Sequence, residues 1–126
     1  GIENGTFTLS ADGLTATGGV LTGTAANPVL TITTIRKLKL VFILATGDNA
    51  SYSDGKSDGI IQRCSGNRVA DGVLGFDLVN WIAVMNINAA GWKGLITAIN
   101  PTSFVISFTK QAAGLAITGK WHGIMG

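Results

Sequence analysis

"GLITAINPTSFVISFTK", residues 94–110, decides the fold. Two β-rich runs flank Asn100-Pro101, a dipeptide that favours a turn and that no helix would carry in its interior. In the second run Phe104, Ile106 and Phe108 point one way and Val105, Ser107 and Thr109 the other, the period of a half-buried strand. The stretch therefore predicts an antiparallel hairpin.

The same reading extends in both directions. Downstream, "GLAITGKWHG" (114–123) places Leu115, Ile117 and Trp121 on one face and Thr118, Lys120 and His122 on the opposite one. Upstream, "GTFTLSADGLTATGGVLTG" (5–23) is cut at Asp12-Gly13 and Gly18-Gly19, which predicts strands near 5–10, 13–17 and 19–23. "VLTITTI" (29–35) and "LKLVFILAT" (38–46) are β-branched runs. The second alternates only at its start, as expected of a central strand covered on both faces. "GIIQRCS" (59–65) is a further short strand. "FDLVNWIAVMNIN" (76–88) raises the question of a helix, because Leu78, Ile82 and Met85 fit a spacing of three to four. A strand instead gathers Val79, Trp81, Ala83, Met85 and Ile87 on one uniformly apolar face, and that is the preferred reading. Strands recurring every 8–12 residues with turns between them predict a sandwich or barrel. The expectation is a single domain over 1–126, an all-β, jelly-roll-like antiparallel β-sandwich of eight to ten short strands. Its core should include Phe42, Ile43, Trp81, Val84, Phe104, Ile106, Phe108, Ile117 and Trp121.

Composition agrees. The 126 residues suffice for one core, and the 18 Gly with a single Glu speak against helices, whose solvent faces draw on Glu, Lys and Ala. Charged residues are 13% of the chain, about half the roughly 25% of an ordinary soluble domain. Nine Lys plus Arg against seven Asp plus Glu give a net charge of +2, too weak and too scattered for a nucleic-acid footprint. The one basic cluster, "IRKLKL" (35–40), reads as a solvated strand face with Lys37 and Lys39 together. Cys64 is alone, which excludes an intrachain disulfide, and reads as a half-buried thiol. No run approaches the roughly 18 apolar residues of a membrane helix, so a soluble chain without membrane insertion is expected. It begins at Gly1 with no visible signal peptide, as an excised domain or a residual tag glycine would.

The chemistry-bearing candidates are few. "TGDNASYSDGKSDG" (46–59) concentrates Asp48, Asn49, Asp54 and Asp58. It fails as an EF-hand, since the sixth position from Asp48 is Ser53 and the twelfth is Gly59, so neither the central Gly nor the bidentate Glu is in place. Asp54 and Asp58 could serve as an irregular cation site or as a glycosidase pair, but a Gly- and Ser-rich loop offers no apolar wall to raise a carboxyl pKa. The favoured reading is a solvent-exposed connection whose Asp and Asn satisfy turn amides. Exposed loops are also where ligands bind, and Tyr52 is its best contact candidate. Of three tryptophans, Trp81 and Trp121 fall on apolar faces, whereas Trp92, between Gly91 and Lys93, is the one expected at the surface. His122 is the lone imidazole, too little for a catalytic triad or a metal centre, and reads as structural or at an edge. Candidate binding residues are therefore Tyr52, Asp54, Asp58 and Trp92. No catalytic residue, metal site or cofactor is expected.

Over residues 20–126 the order of the pieces resembles a β domain of bacteriophage tail-fibre and other virion-associated proteins. The carriers are a Thr- and Gly-rich lead-in ("GVLTGTAANPVLTITTI"), a basic spacer ("RKLK") entering "LVFILATG", a polar loop, the Phe-bearing strand "SFVISF", and the aromatic-to-glycine end "GKWHGIMG". The spacer departs from the Phe-x-Pro-Lys such domains usually carry. The resemblance implies a non-enzymatic virion component, structural or receptor-binding, working as a homo-oligomer, most plausibly a trimer. Its partners would be other virion proteins or a host-surface glycan or protein. A capsid-decorating protein and a small carbohydrate-active enzyme or carbohydrate-binding module are the alternatives. "VNWIAVMNINAAGW" (79–92), fourteen residues without a charge, is expected to contribute to the subunit contact.

Overall fold

The computed structural model describes residues 1–47, 52–68, 73–79, 83–87, 90–111 and 113–126, with 67–68, 73–79, 83–87 and 90 as backbone alone. These form twelve strands and no helix: β1 (Ile2–Leu9), β2 (Ala16–Thr17), β3 (Val20–Gly23), β4 (Pro28–Thr33), β5 (Leu38–Gly47), β6 (Tyr52–Ser57), β7 (Gln62–Arg68), β8 (Val73–Val79), β9 (Ala83–Ile87), β10 (Ala90–Asn100), β11 (Ser103–Lys110) and β12 (Ile117–Met125). Two antiparallel sheets result, one of seven strands in the order β2-β1-β12-β5-β6-β7-β8 and one of five in the order β3-β4-β11-β10-β9. They pack together as a β-sandwich.

The hairpin predicted at 94–110 is present, with Asn100 opposite Ser103 and the Asn100 Nδ2 donating to Ser103 Oγ at 3.1 Å. Phe104, Ile106 and Phe108 are buried, as the alternation requires. The turn at Asp12-Gly13 joins the paired strands β1 and β2, whereas Gly18-Gly19 makes no hairpin and instead carries the chain from β2 in one sheet to β3 in the other. Gly13 (φ 73°) and Gly18 (φ 84°) occupy the left-handed region that favours glycine. β12 lies between β1 and β5, and its inward residues Ile117 and Trp121 are buried while Thr118, Lys120 and His122 face solvent.

Aromatic contacts link the two sheets. Phe104 of β11 meets Trp121 of β12 edge-on at 5.1 Å between ring centroids and Phe108 of β11 meets Phe7 of β1 at 6.4 Å, while Trp92, in the same sheet as Phe108, lies edge-on to it at 6.4 Å. Two glycines make room for the larger rings. Gly119 lies opposite Phe7 and Gly5 opposite Trp121, so each ring covers a residue without a side chain on the neighbouring strand. A Cβ on Gly5 would come within 2.7 Å of the Trp121 ring, and one on Gly119 would overlap Phe7.

Several expectations need correction. Residues 52–57 are not an exposed connection but β6, paired with β5 on one side and β7 on the other. Its inward residues are Ser53, Gly55 and Ser57 and its outward ones Tyr52, Asp54 and Lys56, an alternation of small against polar that carries no apolar signal. Residues 76–88 are not one strand, because β8 belongs to the seven-stranded sheet and β9 to the other. These two differences account for twelve strands in place of ten. Phe42 points outward and is 36% exposed, whereas its neighbour Ile43 is buried. Cys64 is fully rather than half buried. Lys37 precedes the strand, and Lys39 is the extra residue of a β-bulge where Ile124 lies opposite Leu40 and Met125 opposite Leu38. Both lysines are exposed. Trp81 and the side chain of Val84 lie outside the described residues.

Candidate functional site

β5 runs through the middle of the seven-stranded sheet and is apolar on both faces. Val41, Ile43 and Ala45 point into the core; Leu40, Phe42 and Leu44 point the other way. No element of the described chain covers that second face, and Phe42 and Leu44 remain 36% and 42% exposed.

The sheet register sets their neighbours in rows. Leu44 lies between Lys120 of β12 and Asp54 of β6, and Phe42 lies between His122 and Lys56. Further along, Ile124 stands opposite Leu40, and at the other end Tyr52 stands opposite Thr46. The result is an apolar column on one strand, bordered on both flanks by polar groups of either sign. A depression of about 260 Å³ lined by Phe42, Asp54, Gly55, Lys56 and Ser65 opens beside it. A depression of about 380 Å³ lies at the end of the sandwich near Thr8, Thr17, Thr46 and Thr118. Three of its hydroxyls are engaged, Thr8 with Thr17 at 2.7 Å and Thr46 with the Thr118 carbonyl at 3.4 Å.

The four residues singled out from sequence separate into three places. Tyr52 and Asp54 stand two apart on the outward face of β6, both exposed. Asp58 follows the strand, four residues beyond Asp54 and past the end of β6 at Ser57. Its Oδ1 accepts the amide protons of Ile61 (2.7 Å) and Ile60 (2.8 Å), and these bonds hold its carboxyl below the usual carboxylate range. That turn role matches the expectation that acids in this stretch satisfy backbone amides. Trp92 is not at the surface. It is buried, its Nε1 donates to the Leu115 carbonyl at 2.9 Å, and Lys110 stands over its ring at 5.6 Å from the centroid. The clue was present, since Trp92 shares strand parity with Gly94 and the buried Ile96, but Gly91 and Lys93 on either side obscured it.

Phe42, Leu44, Lys56, Lys120 and His122 complete the face and were not read as one from sequence. Within a continuous apolar run, period alone does not tell which of the two faces is inward. Of the segment 79–92, only Gly91 and Trp92 have described side-chain positions, and both are buried. Among the described residues no group of three or more His, Cys, Asp and Glu is placed to hold a metal ion. Nor, among the described residues, is any helix long and apolar enough to cross a membrane. Comparison with family models, with characterised proteins and with solved structures gives no match.

Proposed function

We propose that this chain is a non-enzymatic virion module, structural or receptor-binding, that works as a homo-oligomer through the outer face of its seven-stranded sheet. The observation that carries the oligomer is the uncovered apolar column of β5. A strand that is apolar on both faces belongs in a fully covered sheet, and among the described residues only one face is covered. A second copy covers the other. The border suits a self-complementary contact, because Asp54 on one protomer can meet Lys56 or Lys120 on its partner while Phe42 and Leu44 pack together.

The virion setting rests on the tail-fibre resemblance of residues 20–126, and with it the trimer and the partnership with other virion proteins or a host-surface molecule. A capsid-decorating role would use the same face. The carbohydrate-enzyme alternative finds less support: Asp54 lies on the outward face of β6, whereas Asp58 lies in the turn beyond it, where the Ile61 and Ile60 amides hold its carboxyl low and away from general-acid behaviour. Analytical ultracentrifugation of the wild type and Leu44→Asp tests the assembly, and probing purified particles with an antibody to the domain tests the setting. A monomeric wild type would remove the first, and particles without the domain the second.

A further inference from the structure

The most exposed large apolar side chains collect at one end of the sandwich, away from the column of β5. Ile60 (86%), Ile61 (72%), Ile35 (73%) and Ile2 (69%) all lie there. Their proximity follows from register and contacts. Val41 of β5 pairs with Ser57 of β6, which puts the turn after Ser57 beside the turn that precedes Leu38. Leu40 and Ile61 line one depression, and the Glu3 carboxylate accepts the Ile35 amide proton at 2.8 Å, tying the start of β1 to the same place.

These tips are held in place. Asp58 accepts from the Ile60 and Ile61 amides, the Gly59 amide donates to Ser57 Oγ at 2.9 Å, and a Cβ at Gly59 would rest 3.3 Å from Ile99. The charges beside them are unequal. Three cations, Arg36, Lys37 and Lys39, are exposed at this end against two carboxylates among the described residues, Glu3 and Asp58, whose oxygens accept backbone amides.

We infer that this end docks onto an anionic lipid bilayer, with the isoleucine tips entering the interface and Arg36, Lys37 and Lys39 meeting the headgroups. Charge decides the occupant. Two copies meeting end to end would bring like cationic clusters together, whereas an anionic surface is their complement. Shape agrees, since convex tips on separate turns enter a fluid interface without needing a matching hole. Such docking is shallow and differs from a membrane span. It does not depend on the self-association of the sheet face, which uses different residues.

The test is co-sedimentation with phosphatidylcholine vesicles containing about 30% phosphatidylglycerol, against phosphatidylcholine alone. Binding is expected only with the anionic lipid, and should fall at least roughly tenfold at about 0.5 M salt, in the Ile60→Ser/Ile61→Ser variant, and in Arg36→Glu/Lys37→Glu. In Ile61→Trp the added indole emission should shift to the blue with vesicles. Leu44→Asp should bind as the wild type does, separating this result from that of the oligomer. Absence of vesicle binding by the wild type, or binding indifferent to the tip and cation variants, overturns the inference. So does a change of oligomeric state on Ile60→Ser/Ile61→Ser, which would assign the end to a second copy.

Discussion

The side-chain amide of Gln62 bridges the two sheets to the backbone of Ile96: its Nε2 donates to the Ile96 carbonyl at 2.9 Å, and the Ile96 amide donates to its Oε1 at 2.7 Å. Among the described residues β9 pairs with β10 as far as Ala83 opposite Gly94, and two residues further along β10 Gln62 of β7 bonds the Ile96 backbone. Both partners are buried, so neither backbone group has water as a substitute.

Gln62→Ala should therefore destabilise the fold by about 2–4 kcal/mol, since a buried donor and a buried acceptor are left unsatisfied together. Urea unfolding measures it. A loss below about 0.5 kcal/mol would mean that the bridge contributes little beyond packing.

Phe7 over Gly119 gives a second prediction. Gly119→Ala should cost about 1–3 kcal/mol by forcing the ring from its place, and Phe7→Ala about 3–5 kcal/mol by leaving a cavity. In the double variant the alanine methyl enters that cavity, so its loss should be smaller than the sum of the two single losses. Strict additivity would show that the ring and the glycine do not share the space.

The acid limb of stability follows from Asp12 and Asp58. Hydrogen bonds from Ser10 and the Leu14 amide lower the Asp12 carboxyl, and those from the Ile61 and Ile60 amides lower Asp58. Each folded pKa lies below its unfolded value near ~3.9, so the stabilisation is present above that value and is lost as pH falls through the folded one. Thermal midpoints should hold from pH 7 to about 5 and drop below about 4. Asp12→Asn/Asp58→Asn should show a shallower drop, and an equally steep one would assign the acid limb to other groups.

The fold was legible where one face of a strand is apolar and the other polar. β11 and β12 show this, with Phe104, Ile106 and Phe108 set against Ser107 and Thr109, and Trp121 against Lys120 and His122. β6 was illegible because Ser53 and Ser57 fill its inward positions; small polar residues in that part of the core look like a loop. The surface face was missed for the opposite reason. Phe42 and Ile43 are both apolar, and only the observed sheet reveals that Ile43 is covered and Phe42 is not. Trp92 was misplaced by its neighbours Gly91 and Lys93, although its parity with Ile96 pointed inward.

The central claim is that the outer face of β5 is a subunit contact, and sedimentation velocity across micromolar concentrations tests it most directly. The wild type should sediment as a concentration-dependent oligomer, while Leu44→Asp, with a charge set in the middle of the column, should sediment as the 13.0 kDa monomer with an unchanged β-rich circular dichroism spectrum. A wild type that remains a 13.0 kDa monomer throughout, or a Leu44→Asp variant that associates as the wild type does, would contradict it.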